Sequence, residues 1–332
     1  MGLQALSELA LASSFGSARS PFDHPSCLLI ALDDGPSGDP ADWPRLARWL
    51  VTQTCPVIGI GSGPSEIADA CDAVVADASA VGALVANIER APIAAMTLVQ
   101  VLRATAQMSA AHALAIESLA YSVLQAGPEF RRWSAEHPPA PGTIPSDDGP
   151  AVKIERRGAS LLLQLNRPSS RNAMTVEMRD ALVEAFELAA TDDDIGFIAM
   201  SGAGACFSTG GALEEFGTAG DPASSHVIRS IRLPAAALLR CRAATHFHVH
   251  GACIGSGIEL PAFARRLTAS PGAFFQLPEI RFGLIPGAGG CISIPRRVGR
   301  QRTAWLALSA RRINAATALE WGLIDAIETP AG

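Results

Sequence analysis

Positive charge is scarce in this 332-residue chain, which carries 26 lysines and arginines against 32 aspartates and glutamates. The formal net charge is therefore −6. A surface of this kind lacks the basic field that holds nucleic acid. We expect no nucleic-acid partner, and an anionic ligand would need a local cluster of arginines.

Long apolar runs and paired cysteines are also missing. No stretch approaches the ~20 apolar residues that a membrane-spanning helix needs. The first basic residue is Arg19, whereas a secretory leader carries positive charge before its apolar stretch. The seven cysteines are scattered without a C-x-x-C pair, which argues against a disulfide framework or a zinc site. These absences predict a soluble, cytoplasmic protein with reduced thiols, no metal and no membrane partner.

A proline-rich segment, residues 138–150, divides the chain, because repeated proline removes backbone donors and disfavours helix. It separates an N-terminal region, residues 1–137, from a core, residues 151–332. In the core, short apolar runs that read as strands alternate with helical patterns, which predicts βαβ crossovers and a largely parallel sheet. The strands are expected at 159–165, 197–201, 244–250 and 267–270, and helices at 175–190 and 256–265. The N-terminal region is predicted to be α/β over 26–90 and helical over 91–135.

Three glycine-rich frames in the core carry the residues that suggest chemistry, residues 206–213, 250–260 and 277–290. The turn Gly255-Ser-Gly257 precedes a predicted helix, so its amides are donors without an intrahelical partner, and the helix dipole would favour negative charge there. The turn Thr209-Gly-Gly211 offers a second amide. Two converging amides would form an oxyanion hole, in which each donor is worth about 3 kcal/mol. The alternative is that these glycines only make tight turns.

Two glutamates, Glu259 and Glu279, lie within the second and third frames. Addition of water to a polarised double bond needs one group that removes a proton from water and another that delivers a proton to carbon. Two carboxylates in an apolar pocket would also differ in pKa through burial and mutual repulsion. Taken singly, Glu259 is typical of a helix cap and Glu279 of a solvated loop acid.

In their order and spacing the three frames resemble the crotonase (enoyl-CoA hydratase/isomerase) superfamily. The resemblance implies an α/β fold with a ββα spiral core and hydration of a 2-enoyl-CoA, with coenzyme A entering as part of the substrate and no other cofactor. It implies an oxyanion hole from the amides of Gly211 and Ser256, with Glu259 as base and Glu279 as acid. The implied substrate- and CoA-binding residues are Ser170, Arg171, Ala173, Thr209 and Gly255. The loop around Arg171 could instead be a turn with an asparagine N-cap.

The helical part of the N-terminal region suggests a permuted fold. In the family, helices follow the core and drive trimer packing, whereas residues 119–130 resemble that module and precede the core here. We therefore expect these helices to complete the core or a homo-oligomer, either a trimer or a hexamer. An alternative makes residues 26–90 a degenerate half of a second core.

Several alternatives stay open. The same fold supports double-bond isomerisation or C–C bond chemistry on an acyl-CoA, and a non-catalytic assembly subunit would have its pocket blocked by the permuted region. Two clusters could bind ligands: four arginines near coenzyme A phosphates, and three histidines that alternate along one strand face. Both are more typical of a solvated face and of core or interface histidines. The clusters are Arg296, Arg297, Arg300 and Arg302, and His246, His248 and His250.

Overall fold

A computed structural model describes residues 1–3, 5, 19–33, 40–138, 147–216 and 220–329. Most of the predicted proline-rich linker, residues 139–146, lies outside the described residues. The end of that segment is fixed to the core, because Asn166 Nδ2 donates to the carbonyls of Asp148 and Pro150, each at 3.1 Å.

Twelve strands lie within the described residues. In chain order they are β1 Leu28–Ala31, β2 Val57–Ile60, β3 Ala73–Val75, β4 Val152–Arg157, β5 Ser160–Leu165, β6 Phe197–Gly202, β7 Ala244–Val249, β8 Ala252–Ile254, β9 Arg266–Ala269, β10 Phe274–Gln276, β11 Ile313–Asn314 and β12 Ala326–Ile327. The core strands predicted from the sequence are β5, β6, β7 and β9, with bounds that differ by at most one residue from the prediction at each end.

Thirteen α-helices also lie within the described residues. They are α1 Trp43–Val51, α2 Ser65–Ala70, α3 Gly82–Arg90, α4 Pro92–Thr105, α5 Ala110–Gln125, α6 Pro128–Glu136, α7 Val176–Thr191, α8 Pro222–Ile231, α9 Pro234–Leu238, α10 Ser256–Glu259, α11 Gly290–Val298, α12 Arg300–Ser309 and α13 Ala315–Trp321. Helix α7 begins as its sequence predicts, because the Met178 amide donates to the side chain of the N-cap Thr175 at 3.2 Å. Its predicted apolar face, Met178, Leu182, Phe186 and Ala189, is buried.

The large sheet of the core has the strand order β12-β9-β7-β6-β5-β4. All its pairs are parallel except β4 with β5, which confirms the predicted largely parallel sheet. A smaller sheet, β11-β10-β8, forms a second layer, and isolated bridges extend it from Cys253 to Ser208 and from Gly211 to Met174. A strand in the large sheet is thus followed by an extended segment in the second layer and then a helix, as in a ββα repeat.

One predicted helix, residues 256–265, is shorter than expected. Helix α10 ends at Glu259, and a 3₁₀ turn, Pro261–Phe263, follows it. The reason is Pro261, which has no amide hydrogen and whose ring obstructs a continuing α-helix. The expected helix dipole at the Ser256 turn is correspondingly small, since a single turn sums few peptide dipoles.

The N-terminal region contains a parallel three-stranded sheet, β1-β2-β3. One of its faces packs in a small core with α1, which includes Leu28, Ile30, Leu46 and Leu50. The other face, with Ile58, Ala73 and Val75, joins the main core of the protein. The permuted arrangement stays a prediction.

Within the described residues no single helix is long and apolar enough to span a membrane. One bent pair of helical segments, Ala78–Arg90 with Pro92–Thr105, meets the same test of length and composition when the two are taken together.

Candidate active site

Both glutamates and both proposed oxyanion donors line one cavity of about 230 Å³. Glu259 and Ser256 come from α10, Gly211 from the second-layer segment after β6, and Glu279 from the turn after β10. Each therefore follows a strand or bridge of the second layer, which is why residues far apart in sequence meet here. The N-terminal helix α5 closes the cavity with Tyr121.

Glu259 is buried and fixed by backbone amides. The amides of Ala288 and Gly290 both donate to its Oε2, at 2.7 and 2.9 Å. Oε1 is thus left to face a ligand. Burial raises the pKa of Glu259 to about 7, against the opposing effect of these amide bonds. The interpretation as a cap of its own helix is wrong, because its side chain binds a segment about thirty residues further along the chain.

Glu279 opens a 3₁₀ turn, Glu279–Phe282, and its Oε2 is buried without a hydrogen-bond partner in the described part of the chain. Burial, followed by the charge of Glu259, raises the pKa of Glu279 well above its usual value. The interpretation as a solvated loop acid is therefore wrong. A raised pKa favours the protonated form of this carboxyl group, which is the form that can donate a proton.

Gly255 lies between the two carboxyl groups. A Cβ atom at this position would lie 2.7 Å from Glu279 Oε1 and 3.8 Å from Glu259 Oε1. Its φ of +51° is also one that L side chains rarely adopt. Glycine therefore lets the backbone pass close to the Glu279 carboxyl group, where a larger residue would collide with it.

The amides of Gly211 and Ser256 donate to no backbone or side-chain acceptor within the described residues. The amides on either side of Gly211 are occupied, because that of Gly210 donates to Ser208 Oγ at 3.2 Å and that of Ala212 to the Met174 carbonyl at 3.2 Å. The Ser256 hydroxyl is also buried without a partner. Unpaired donors of this kind are costly in a protein interior and are typical of a site that is completed by a ligand.

A second cavity of about 530 Å³ adjoins the first, and Gly211 lines both. Four of the five residues expected to contact substrate or coenzyme A line it: Ser170, Arg171, Ala173 and Thr209. The fifth, Gly255, lies between the glutamates of the first cavity. Residues Arg171 and Asn172 have φ values of 55° and 51°, and this turn exposes the Arg171 side chain while its carbonyl accepts from the Thr209 amide at 3.1 Å.

Asn172 anchors this loop rather than capping the helix after it. Its Oδ1 accepts from the Arg167 amide at 2.8 Å, and its Nδ2 donates to the carbonyls of Ala203 and Cys206 at 2.8 and 3.0 Å. The alternative of an asparagine N-cap is therefore wrong, since Thr175 caps α7. Sequence reasoning missed this role, although an amide side chain in a tight loop is a recognisable signal.

Sequence reasoning also missed Glu117, Tyr121 and Arg229. Glu117 is buried on α5, and its two oxygens accept the amides of Gly289 and Cys291 at 2.7 and 2.8 Å. Burial, then the charge of Glu259, raises the pKa of Glu117 to about 8. An acid on the otherwise apolar face of a predicted helix was the available signal.

The arginine cluster is occupied by protein contacts. Arg300 pairs with Asp72 at 2.8 Å, and Arg297 with Asp325 at 3.2 Å. The Arg296 guanidinium donates to a backbone carbonyl at 2.9 Å, and that of Arg302 lies 5.5 Å from the Trp321 ring centre. These contacts link elements of the fold and favour a structural role over phosphate binding.

The three histidines share one face of β7, as their alternation predicts. The rings of His246 and His248 both contact Thr268 Oγ1, at 3.1 and 2.9 Å, and His250 contacts the Gly204 carbonyl at 2.9 Å. Among the described residues, no group of three His, Cys, Asp or Glu side chains could hold a metal ion. The histidines thus have ordinary hydrogen-bond partners within the fold.

Known proteins share this core. A family model for enoyl-CoA hydratase/isomerase matches residues 155–331. A 2,3-dehydroadipyl-CoA hydratase from Escherichia coli (strain K12) is 34% identical over 175 residues, which cover 52% of this chain and 67% of the relative. A mitochondrial Delta(3,5)-Delta(2,4)-dienoyl-CoA isomerase from Mus musculus is 28% identical over 243 residues, covering 69% of this chain and 71% of the relative.

Among solved structures, an enoyl-CoA hydratase from Thermoplasma volcanium GSS1 superimposes with a TM-score of 0.50 at 33% identity. The superposition covers 54% of this chain and 72% of that one. The family match spans the three glycine-rich frames and the cavity-lining residues that they contribute, but not Tyr121 and Gln125 of α5. By its core sequence and its fold, the chain belongs to the enoyl-CoA hydratase/isomerase family, the crotonase superfamily.

Proposed function

We propose that the protein is a 2-enoyl-CoA hydratase that adds water in syn fashion across the double bond next to the thioester. The observation that carries the proposal is the meeting of two buried carboxyl groups, Glu259 and Glu279, in one cavity with two unpaired amides. A pocket with a few convergent polar groups of perturbed pKa is the usual form of an active site.

The two carboxyl groups have the protonation states that the reaction needs. With a pKa of about 7, Glu259 is substantially ionised at neutral pH and can take a proton from water as the water oxygen attacks C3. Glu279, whose pKa is raised well above its usual value by burial and by the charge of Glu259, would deliver the proton to C2. Return of the proton from Glu259 to Glu279 restores the site, so the product gains one water and no other atom.

The negative charge that develops on the thioester oxygen would be held by the amides of Gly211 and Ser256. Such a donor contributes about 3 kcal/mol to the barrier reduction. The larger cavity beside Gly211 would hold the coenzyme A part of the substrate against Ser170, Arg171, Ala173 and Thr209. Base, acid and oxyanion donors are all supplied by the chain, so we propose that it uses no further cofactor.

Hydration is favoured over isomerisation because two carboxyl groups, Glu259 and Glu279, line the same cavity. Isomerisation moves one proton between carbons and needs only one such group. A non-catalytic subunit with a blocked pocket is a poorer fit, since Tyr121 of α5 lines the cavity and leaves it about 230 Å³.

We also propose that the protein is a homo-oligomer, either a trimer or a hexamer, as its resemblance to the crotonase superfamily implies. Supporting this, α5 and α8 pack together and expose large apolar side chains: Leu119, Val123, Val227 and Ile231, each 49–66% exposed. Contiguous exposed apolar residues often mark an interface. Replacing Val123 and Ile231 with aspartate should lower the mass measured by light scattering, and a monomeric parent protein would contradict the proposal.

The experiment that tests the function follows loss of the ultraviolet absorbance of the conjugated thioester with crotonyl-CoA and a six-carbon 2-enoyl-CoA. We expect Glu259→Gln and Glu279→Gln each to lower kcat by roughly 10²- to 10⁴-fold. Binding of a saturated acyl-CoA should persist in both variants. Glu320→Gln, at an exposed position, is the control. A parent protein that binds acyl-CoA but hydrates neither substrate would refute the reaction while leaving the fold intact.

A further inference from the structure

Arg229 places a positive charge at the wall of the cavity without an acidic partner. It lies on α8 and lines the same cavity as Glu259 and Glu279. Twelve ion pairs occur within the described residues, and Arg229 takes part in none of them. A cation removed from water without a counter-ion is costly to a folded protein.

The hydrogen bonds of Arg229 go only to neutral acceptors of α5. Its Nε donates to Ser118 Oγ at 3.0 Å, its Nη1 to Gln125 Oε1 at 3.2 Å, and its Nη2 to the Ser118 carbonyl at 3.3 Å and to Ser122 Oγ. A guanidinium has five N–H donors, so these four bonds leave one on Nη1. The Tyr121 ring, 4.7 Å from the guanidinium, holds its plane in place.

The acidic groups nearby do not neutralise Arg229. Glu117 is near enough to raise the pKa of Arg229, but both of its oxygens are taken by the amides of Gly289 and Cys291. Burial is the largest influence and lowers the pKa of Arg229, although a guanidinium stays charged throughout the usual pH range. Arg229, which lines the cavity, thus carries an oriented positive charge and one N–H that no acceptor within the described residues takes.

We propose that Arg229 binds a carboxylate at the far end of the acyl chain, so that the preferred substrates are short 2-enoyl-CoA thioesters with a distal carboxylate. This inference rests on the proposed hydratase function, which places the thioester oxygen at Gly211 and Ser256. Arg229 and these amides line one cavity of about 230 Å³, so a short chain held at one end reaches the other. Arginine suits this task because its planar donor set matches a carboxylate.

The first test compares two six-carbon substrates, 5-carboxy-2-pentenoyl-CoA and 2-hexenoyl-CoA. We expect kcat/KM to be ~10- to 100-fold higher for the carboxylated substrate, the range of a hydrogen bond to a charged group. Equal values, or a preference for 2-hexenoyl-CoA, would overturn the inference and leave the proposed function standing. Hydration of neither substrate would overturn both.

Substitutions of Arg229 distinguish a role in binding the distal carboxylate of the substrate from a purely structural role in linking α5 to α8. Arg229→Gln should lower kcat/KM for the carboxylated substrate by ~10- to 100-fold and change that for 2-hexenoyl-CoA only a few-fold. Arg229→Lys, which keeps the charge, should recover part of the loss. An equal loss on both substrates would show that Arg229 only supports the fold. The matched control is Arg242→Gln, because the side chain of Arg242 is 92% exposed in the parent protein.

A binding measurement keeps the inference testable if the variants fold poorly. Calorimetric titration of the parent protein with adipyl-CoA and hexanoyl-CoA requires no turnover. We expect ~10-fold or greater preference for adipyl-CoA, and the preference should weaken at high salt because the pair is electrostatic. No preference at low salt would overturn the inference.

Discussion

Glu117 and Glu259 hold alternate amides of one short segment. Glu259 accepts from Ala288 and Gly290, and Glu117 from Gly289 and Cys291. These amides open α11 and would otherwise lack acceptors in the protein interior. One carboxylate belongs to the core and the other to the N-terminal region, so the position of the proposed base depends on a helix that the family match does not reach.

Replacing Glu117 with glutamine should destabilise the protein. The substituted amide has one carbonyl oxygen for two backbone donors, and an unpaired buried donor costs about 1–3 kcal/mol. Urea denaturation should show a lower free energy of unfolding with an unchanged m-value. Glu136→Gln, at an exposed position on α6, is the control. Equal stabilities of the Glu117 variant and its parent would contradict the role assigned to this carboxylate.

The stability of the protein should also depend on pH through Glu117. Its pKa is about 8 in the folded protein against an ordinary value of 4.5, so between these values the folded state binds more protons than the unfolded state. The free energy of unfolding contributed by this group is therefore greatest below pH ~4.5 and falls as the pH rises to ~8. The Glu117→Gln variant should show a smaller decline over that window. Parallel curves for parent and variant would refute the assignment.

Catalysis should have a bell-shaped pH dependence. Since the pKa of Glu259 is raised to about 7, kcat/KM should fall at lower pH as the proposed base becomes protonated. It should fall again at high pH, where Glu279 loses the proton it must deliver. The two apparent values belong to the coupled pair. A rate that is independent of pH between ~5 and ~8 would exclude Glu259 as the base.

Gly255→Ala should lower activity more than stability. The new Cβ would approach Glu279 Oε1 to 2.7 Å, and the φ of +51° adds backbone strain. We expect kcat to fall by ~10²-fold or more, because a shift of about 1 Å in a reacting group can have that effect. Gly158→Ala is a matched control, with φ of +59° and no heavy atom within 4 Å of the new Cβ. Equal activities of the two variants would show that only strain matters.

Periodicity and turn residues were enough to predict much of the core. Strands β5, β6, β7 and β9 and the start of α7 follow from short apolar runs and from Thr175, because local pattern and burial agree there. The pairing of Glu259 with Glu279 was suggested by the need for two proton-transfer groups and by the resemblance of the glycine-rich frames to the crotonase superfamily. Glu117 and Arg229 could not be placed, since their contacts are with residues more than one hundred positions away in sequence: Glu117 binds the segment at the start of α11, and Arg229 binds α5.

The last prediction concerns how the N-terminal sheet is attached to the core. Asp72, which is 1% exposed, pairs with Arg103 of α4 and with Arg300 of α12. The Arg103 Nε and Arg300 Nη1 atoms lie 2.9 and 2.8 Å from its Oδ1, and the amide of Val57 donates to Oδ2 at 2.9 Å.

Asp72→Asn should therefore lower the free energy of unfolding by about 3 kcal/mol, because it leaves two largely buried arginines without a counter-ion. Thermal and urea unfolding measure this change. Asp193→Asn, which removes an exposed pair with Arg242 at 3.6 Å, should have no measurable effect. If Asp72→Asn changed stability no more than this control, this carboxylate would not hold the sheet to the core, and the backbone carbonyls that accept from Arg300 and Gln301 together with apolar packing would suffice. A loss confined to Asp72→Asn would show that this carboxylate joins the N-terminal sheet to α12, and through it to the helices around the active site.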